Sequence, residues 1–348
     1  MYQLTKPKRL SPGDRVAAIS SSAGTAAAVP YRYEVGKGRL QGNFGLHVVE
    51  MRHTLKSDSW LRENPQARAE DLMEAFADPS IKGIISTIGG DDSIRMLPYI
   101  DLEVIRKNPK ILIGYSDTTV SHFMCNKAGL TSFYGPSVLT GFAENKAMFG
   151  YTEENFRKVV FSADPIGEIA QADGWTVERL DWFDPQNQDK ARILKEPYGR
   201  KILQGHGSAS GQLIGGCVQV MSMLNGTALW PEADRWKDAI IFMEISESDL
   251  TINMYKYLLR SMGAQGIWDS ASGIIFARPG GQRTIEQMTQ YEDALQHIVG
   301  REFARSDIPI VAQMDFGHTD PVFTIPYGAQ ARIDCNQKRF SILEPGVI

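Results

Sequence analysis

The sequence predicts an α/β fold built on a parallel sheet. Two features predict it: short runs rich in Val and Ile recur along the chain, and helix-like patterns separate them. The runs at 15–20 (RVAAIS), 46–51 (LHVVEM), 83–88 (GIISTI) and 111–114 (ILIG) are bounded by Gly, Pro or Ser. Brief apolar runs of β-branched residues are how strands buried on both faces read. Helical patterns at 64–76 (NPQARAEDLMEAF) and 93–106 lie between them. Ligands of such sheets sit at the carboxyl ends of the strands, so the strand ends direct the search for a site.

The character changes over 164–206, which is polar, charged and carries Trp175 and Trp182. It reads as a linker or an active-site cover with a little β structure. Alternation then resumes. Segments 239–245 (AIIFMEI), 273–277 (GIIFA) and 308–313 (IPIVAQ) are strand-like, and 249–262 and 284–299 are helix-like. The end, 322–343, reads as paired strands around turns at Tyr327-Gly328 and Asn336-Gln337. A chain of 348 residues is long for one hydrophobic core. The expected division is an N-terminal α/β domain over 1–163, a linker and active-site loop over 164–206, and a C-terminal β/α domain over 207–348.

Composition excludes several function classes. Hydrophobic residues at 43% and charged residues at 22% are ordinary for a globular protein. A net charge of −4 without a dense Lys/Arg stripe argues against a nucleic-acid surface. No stretch approaches the roughly 20 apolar residues that a membrane span needs, and no apolar run follows the basic start as a secretory signal requires. Cys125, Cys217 and Cys335 are far apart, with no CxxC pair. That spacing offers neither a zinc site nor a disulfide framework and fits a reducing, cytoplasmic compartment with buried structural thiols. No metal or cofactor is expected.

Four segments at strand ends could carry chemistry. Gly114-Tyr115-Ser116-Asp117-Thr118 follows the strand ILI and precedes a helical pattern. A serine on such a turn exposes its hydroxyl, and the next N–H can face an oxyanion. The spacing resembles a nucleophile elbow, with Thr118 where a second glycine is usual; Ser116 or Asp117 would equally serve as a helix N-cap. His318, in the Gly317–Pro321 loop after a strand, is placed to act as a general base, or else packs a loop. Glu244 ends the apolar run IIFME and needs a partner: the Nδ1–H of His318, a lysine, or a helix N-terminus, with Glu247 as its competitor. Gly89-Gly90-Asp91-Asp92 forms a turn at another strand end. The N–H groups of Gly90 and Asp117 would make a two-donor oxyanion hole. Asp91 and Asp92 repel a phosphate and would instead receive a cationic amine.

Together these segments resemble the serine peptidase family of LD-carboxypeptidases and microcin C immunity proteins. The likeness runs through SPGDRVAAISSSA, STIGGDDSIRMLPYID, ILIGYSDTT, GQLIGGC, FMEISE and GHTDPVFTIPYGAQARID, in that order. The resemblance implies a Ser–His–Glu triad at Ser116, His318 and Glu244. It implies a flavodoxin-like or amidotransferase-like N-terminal domain, a smaller swivelling C-terminal β/α domain, a site between them, and a homodimer. The GGDDS turn and the tryptophan-bearing loop are closer to the immunity branch, which hydrolyses the amide joining an aminoacyl group to a modified nucleotide. Trp175 or Trp182 would then stack on the base, or both pack the loop onto the domain. The alternative is removal of the terminal D-residue from a murein tetrapeptide. Its free carboxylate would need a cation such as Arg278 or Arg95. A third reading is a non-catalytic small-molecule binder on the same scaffold.

Overall fold

The computed structural model describes residues 3–197, 199–248 and 250–348. Its strands are β1 (Arg15–Ile19), β2 (His47–Glu50), β3 (Ile81–Ser86), β4 (Ile111–Gly114), β5 (Phe133–Tyr134), β6 (Gly167–Glu168) and β7 (Lys201–Gln204). They continue with β8 (Ser208–Cys217), β9 (Ala239–Glu244), β10 (Gly273–Ala277), β11 (Ile310–Met314), β12 (Ile325–Pro326), β13 (Gln330–Asp334) and β14 (Arg339–Ile342). The first sheet runs β2-β1-β3-β4-β5 in parallel, and β12 adds to β5 antiparallel. The second runs β6-β14-β13-β8-β9-β10-β11-β7, with a parallel centre from β8 to β11. The protein is therefore α/β, with the predicted parallel sheet in its first half.

The central strands are buried along their whole length, as their unbroken apolar runs require. The helix Pro65–Ala77 shows how the layers close. Pro65 occupies its first turn, where a missing N–H costs nothing. Ala69, Leu72, Ala75 and Phe76 recur at helical spacing and are buried as the helix packs on β1 and β3. Each large side chain buried there contributes about 1.5–3 kcal/mol.

Several elements differ from expectation. The helix expected over 93–106 is a 3₁₀ turn at Ser93–Tyr99 followed by a helix at Leu102–Lys107. Pro98 interrupts the first, and Asp101 caps the second by accepting from the Glu103 N–H. The helix expected from Asp249 starts at Ile252, with Thr251 accepting from the Met254 N–H; Asp249 itself lies outside the described residues. At the C-terminus β13 and β14 pair as expected, but β12 leaves for the first sheet. β8 was not expected as a strand. The little β structure expected in the polar 164–206 stretch is present as β6 and β7, which join the second sheet. Among the described residues no helix is long and apolar enough to cross a membrane.

Candidate active site

Strands of both sheets deliver three side chains to one point. Ser116 follows the carboxyl end of β4, Glu244 is the last residue of β9, and His318 lies in the loop after β11. His318 Nε2 is 3.0 Å from Ser116 Oγ, and His318 Nδ1 is 2.6 Å from Glu244 Oε2. Ser116 has φ +61°, a left-handed conformation that costs a non-glycine residue about 1–3 kcal/mol and recurs at functional turns. Neither Ser116 nor Asp117 caps the helix Thr119–Ala128 through its side chain. Asp117 instead accepts from the N–H groups of Asp92 and Ser93, at 3.0 and 2.8 Å, tying the Gly89-Gly90 turn to the serine turn.

Glu244 is fully buried, and its second oxygen is also occupied. Tyr134, on β5, donates its hydroxyl hydrogen to Glu244 Oε1 at 2.5 Å. The same hydroxyl oxygen accepts the Ser116 N–H at 3.0 Å. Burial, then the Glu244 charge, pushes the Tyr134 phenol well above its ordinary value, so it stays a donor. Burial opposes a charge on His318, but Glu244 and then Glu247 outweigh it and lift the imidazole above 6.5. Glu247 Oε2 lies 3.6 Å from His318 Nε2, on the opposite side of the ring nitrogens from Glu244. His122, one turn into the next helix, is a different case. Its ring bonds Ser132 Oγ and the Gly114 carbonyl, and burial pushes it down to about 4, so it is neutral.

A cavity of about 370 Å³ opens in front of Ser116 and His318. Gly89, Gly90 and Tyr115 line one side, and Ser246 and Glu247 another. The 164–206 stretch closes it with Val177, Glu178, Arg179, Trp182 and Arg192. That strap is held at several points. Thr176 exchanges backbone bonds with Asp320, beside His318, and Gln282 Nε2 donates to the Val177 carbonyl at 3.0 Å. Arg179 pairs with Glu247, Tyr31 donates to the Trp182 carbonyl, and Arg192 bonds Glu144 and Asp320. The Arg32 guanidinium lies 4.2 Å from the Trp182 ring centroid, and burial lowers that guanidinium to about 10.

Several sequence-predicted binding residues do not reach the cavity. Asp91 is exposed and pairs with Arg62 at 3.0 Å; Asp92 is buried and pairs with Arg68 at 3.0 Å. Both satisfy arginines behind the turn, so neither is placed to receive an amine. Arg95 lies against Asp92 as well. Arg278 is buried against Asp315 at 2.6 Å, because the neighbouring strand supplies a carboxylate that its charge requires. Trp175 is buried, its Nε1–H donating to the Glu196 carbonyl and its ring beside Lys195 and Arg278. Only Trp182 of the two tryptophans lines the cavity. The sequence reading missed Tyr134, whose one signal was an aromatic residue in the short SFYGP segment.

Cys217, Glu244 and His318 bring potential metal-ligating atoms within 4.8 Å of one another. Binding needs a thiolate, whereas burial and then Glu244 push the Cys217 thiol well above its ordinary value. Glu244 and His318 are already bonded to each other, so the donor set does not suit a metal ion.

Two family descriptions match this chain: the LD-carboxypeptidase N-terminal domain over residues 16–135 and the C-terminal domain over 210–333. The microcin C7 self-immunity protein MccF of Escherichia coli is 30% identical over 345 residues, covering 96% of this chain and 94% of its own. The chain belongs to the LD-carboxypeptidase family of peptidases. Solved members of the family superpose closely. An MccF-like protein from Streptococcus pneumoniae in complex with AMP has a TM-score of 0.85 at 30% identity, covering 94% of this chain and 98% of its own. MccF in complex with aspartyl sulfamoyl adenosine has a TM-score of 0.85 at 28% identity, covering 99% and 100%. Family membership makes this protein a peptidase, and the two-domain α/β organisation is shared.

Proposed function

We propose that this peptidase is a serine hydrolase that cuts the amide between an aminoacyl group and a nucleotide-like leaving group. The observation that carries the reading is the continuous path Ser116 Oγ–His318 Nε2 and His318 Nδ1–Glu244, opening on a cavity that Trp182 lines. Ser116 Oγ attacks the carbonyl carbon while its proton passes to His318 Nε2. Glu244 stabilises the imidazolium. The N–H groups of Gly90 and Asp117 receive the oxyanion. Gly90 adopts φ +146°, a conformation that side chains rarely allow. As the C–N bond breaks, His318 gives its proton to the leaving nitrogen. Water then attacks the acyl-enzyme, and its proton returns through His318 to free Ser116 and the acid.

Substrate class is read from the cavity walls and from what relatives hold. Trp182 offers an indole to a base, consistent with the AMP and aminoacyl sulfamoyl adenosine complexes of the relatives. Trp182→Ala should weaken AMP binding by about 1–3 kcal/mol in calorimetry, and Trp175→Ala should destabilise the strap without that selective loss. With Asp91 and Asp92 outside the cavity, Glu247, which lines it beside Arg179 and 3.6 Å from His318 Nε2, is the candidate for an α-ammonium group among the lining carboxylates Glu144, Glu178, Glu247 and Asp320. Burial would raise it, but His318 and then Arg179 hold it below the ordinary carboxylate range, so it is charged. Glu247→Gln should raise KM about tenfold for a substrate with a free α-amine, the size of one charged hydrogen bond. It should leave an N-acetylated analogue unaffected, and equal effects on both would remove Glu247 from this role.

Removal of a D-residue from a murein peptide is the second reading. Its terminal carboxylate needs a cation, and Arg179 could supply one only by leaving Glu247. Comparing cleavage of an aminoacyl sulfamoyl adenosine with D-alanine release from a muropeptide separates the two. The raised His318 value also sets a pH dependence. The base must be neutral, so the acid limb of kcat/KM should fall above the ordinary 6.5. The sign for stability is opposite: His318 contributes fully below 6.5, and that contribution is lost as pH rises through the folded value.

A further inference from the structure

Resting on the proposed role of Ser116, we infer that Tyr134 is a positioning residue that sets both the serine turn and the orienting carboxylate through one hydroxyl group. The hydroxyl touches both the Ser116 backbone and the Glu244 carboxylate. It accepts the Ser116 N–H at 3.0 Å and donates to Glu244 Oε1 at 2.5 Å. The two contacts reinforce each other, since a phenol that donates to a carboxylate becomes a stronger acceptor for an N–H. One bond holds the backbone of a strained residue, and the other fixes the rotation of a buried carboxylate so that Oε2 faces His318 Nδ1.

The ring is fixed in turn. Tyr134 is buried, with the rings of Phe242 at 5.5 Å, His122 at 5.6 Å and Tyr115 at 6.4 Å between centroids. Phe242 lies on β9, the strand that carries Glu244, and Tyr134 on β5, next to β4 and the serine turn. The phenol therefore joins the two sheets at the point where their contributions to the site meet. Without it, Glu244 would keep its bond to His318 but lose the donor that draws off part of its negative charge. The Ser116 N–H would be left unpaired.

The carboxylate–imidazole pair should then hold its proton more tightly, wherever in the pair that proton resides. Other groups facing the pair are Cys217 and Tyr327 beside Glu244, and Glu247, Arg179 and Tyr115 around His318. None of them is altered by Tyr134→Phe.

The test is the rate of Ser116 phosphonylation by a fluorophosphonate probe, in which Ser116 Oγ bonds phosphorus and fluoride leaves, followed against pH in the full-length protein. It needs no knowledge of the natural substrate. The wild type should label at Ser116. Tyr134→Phe should still label there, roughly tenfold more slowly, with its acid limb moved to higher pH. In a Glu244→Gln background the same substitution should move the limb no further. Site-specific p-aminophenylalanine at position 134 retains a donor and should restore the limb in part; it also serves if the phenylalanine variant folds poorly. Wild-type rate and limb in Tyr134→Phe would overturn the inference, and so would a slower rate with an unmoved limb. Failure of the wild type to label at Ser116 would instead overturn the underlying assignment of the nucleophile.

Discussion

Replacing Ser116 with alanine should reduce amide hydrolysis about a million-fold, the scale on which acyl transfer falls when a serine nucleophile is removed from an otherwise intact site. The change deletes one oxygen and with it the 3.0 Å contact to His318 Nε2. It leaves the Ser116 N–H to Tyr134, the His318–Glu244 bond and the strap untouched. Affinity for the nucleotide part should therefore survive, and calorimetric binding of AMP should be nearly unchanged. Folding should be almost unaffected, because alanine tolerates φ +61° about as badly as serine does. Retention of more than a few per cent of the activity would assign the nucleophile to another group.

The second large effect should come from a residue with no reactive side chain. A Cβ on Gly89 would lie 2.7 Å from Ser116 Cβ, 2.8 Å from Ser116 Oγ and 3.3 Å from the Asp117 nitrogen. Rotating the hydroxyl relieves only one of these contacts, so either the serine turn or the Gly89-Gly90 turn must move. Both movements misplace the attacking oxygen relative to the two N–H groups proposed for the oxyanion. Gly89→Ala should thus lower kcat on the order of a hundred- to a thousandfold. Its thermal midpoint should fall only modestly, and AMP should still bind next to Trp182. Wild-type kcat in this variant would show that the turn does not border the reacting carbonyl. Gly90→Ala is a less clean probe, because its backbone conformation disfavours any side chain.

What could be read without coordinates was whatever depended on local pattern. β4 and β10 coincide with the apolar runs that predict them, because both are buried on both faces and flanked by polar or glycine-containing turns. The placement of Ser116, Glu244 and His318 at strand ends was legible for the same reason. Misread features depend on neighbours distant in sequence. β8 (SASGQLIGGC) has too few side chains to register as a strand, yet its glycines let it lie against β9. Arg278 looked available because its partner, Asp315, lies on the adjacent strand end, 37 residues away in the chain. Asp91 and Asp92 looked like an amine trap because Arg62 and Arg68, about 25 residues earlier, could not be known to sit behind them. Trp175 and Trp182 are indistinguishable by composition; only the strap's path sends one inward and leaves the other at the cavity.

The return of β12 to the first sheet has a consequence for modularity. Eight residues after His318 the polypeptide has already reached Pro326 and paired with Phe133, next to Tyr134 on the same short strand. A polypeptide cut between its two halves would therefore leave the first sheet without its last strand. A fragment ending before residue 325 would present a bare β5 edge, the kind of open ladder that invites aggregation.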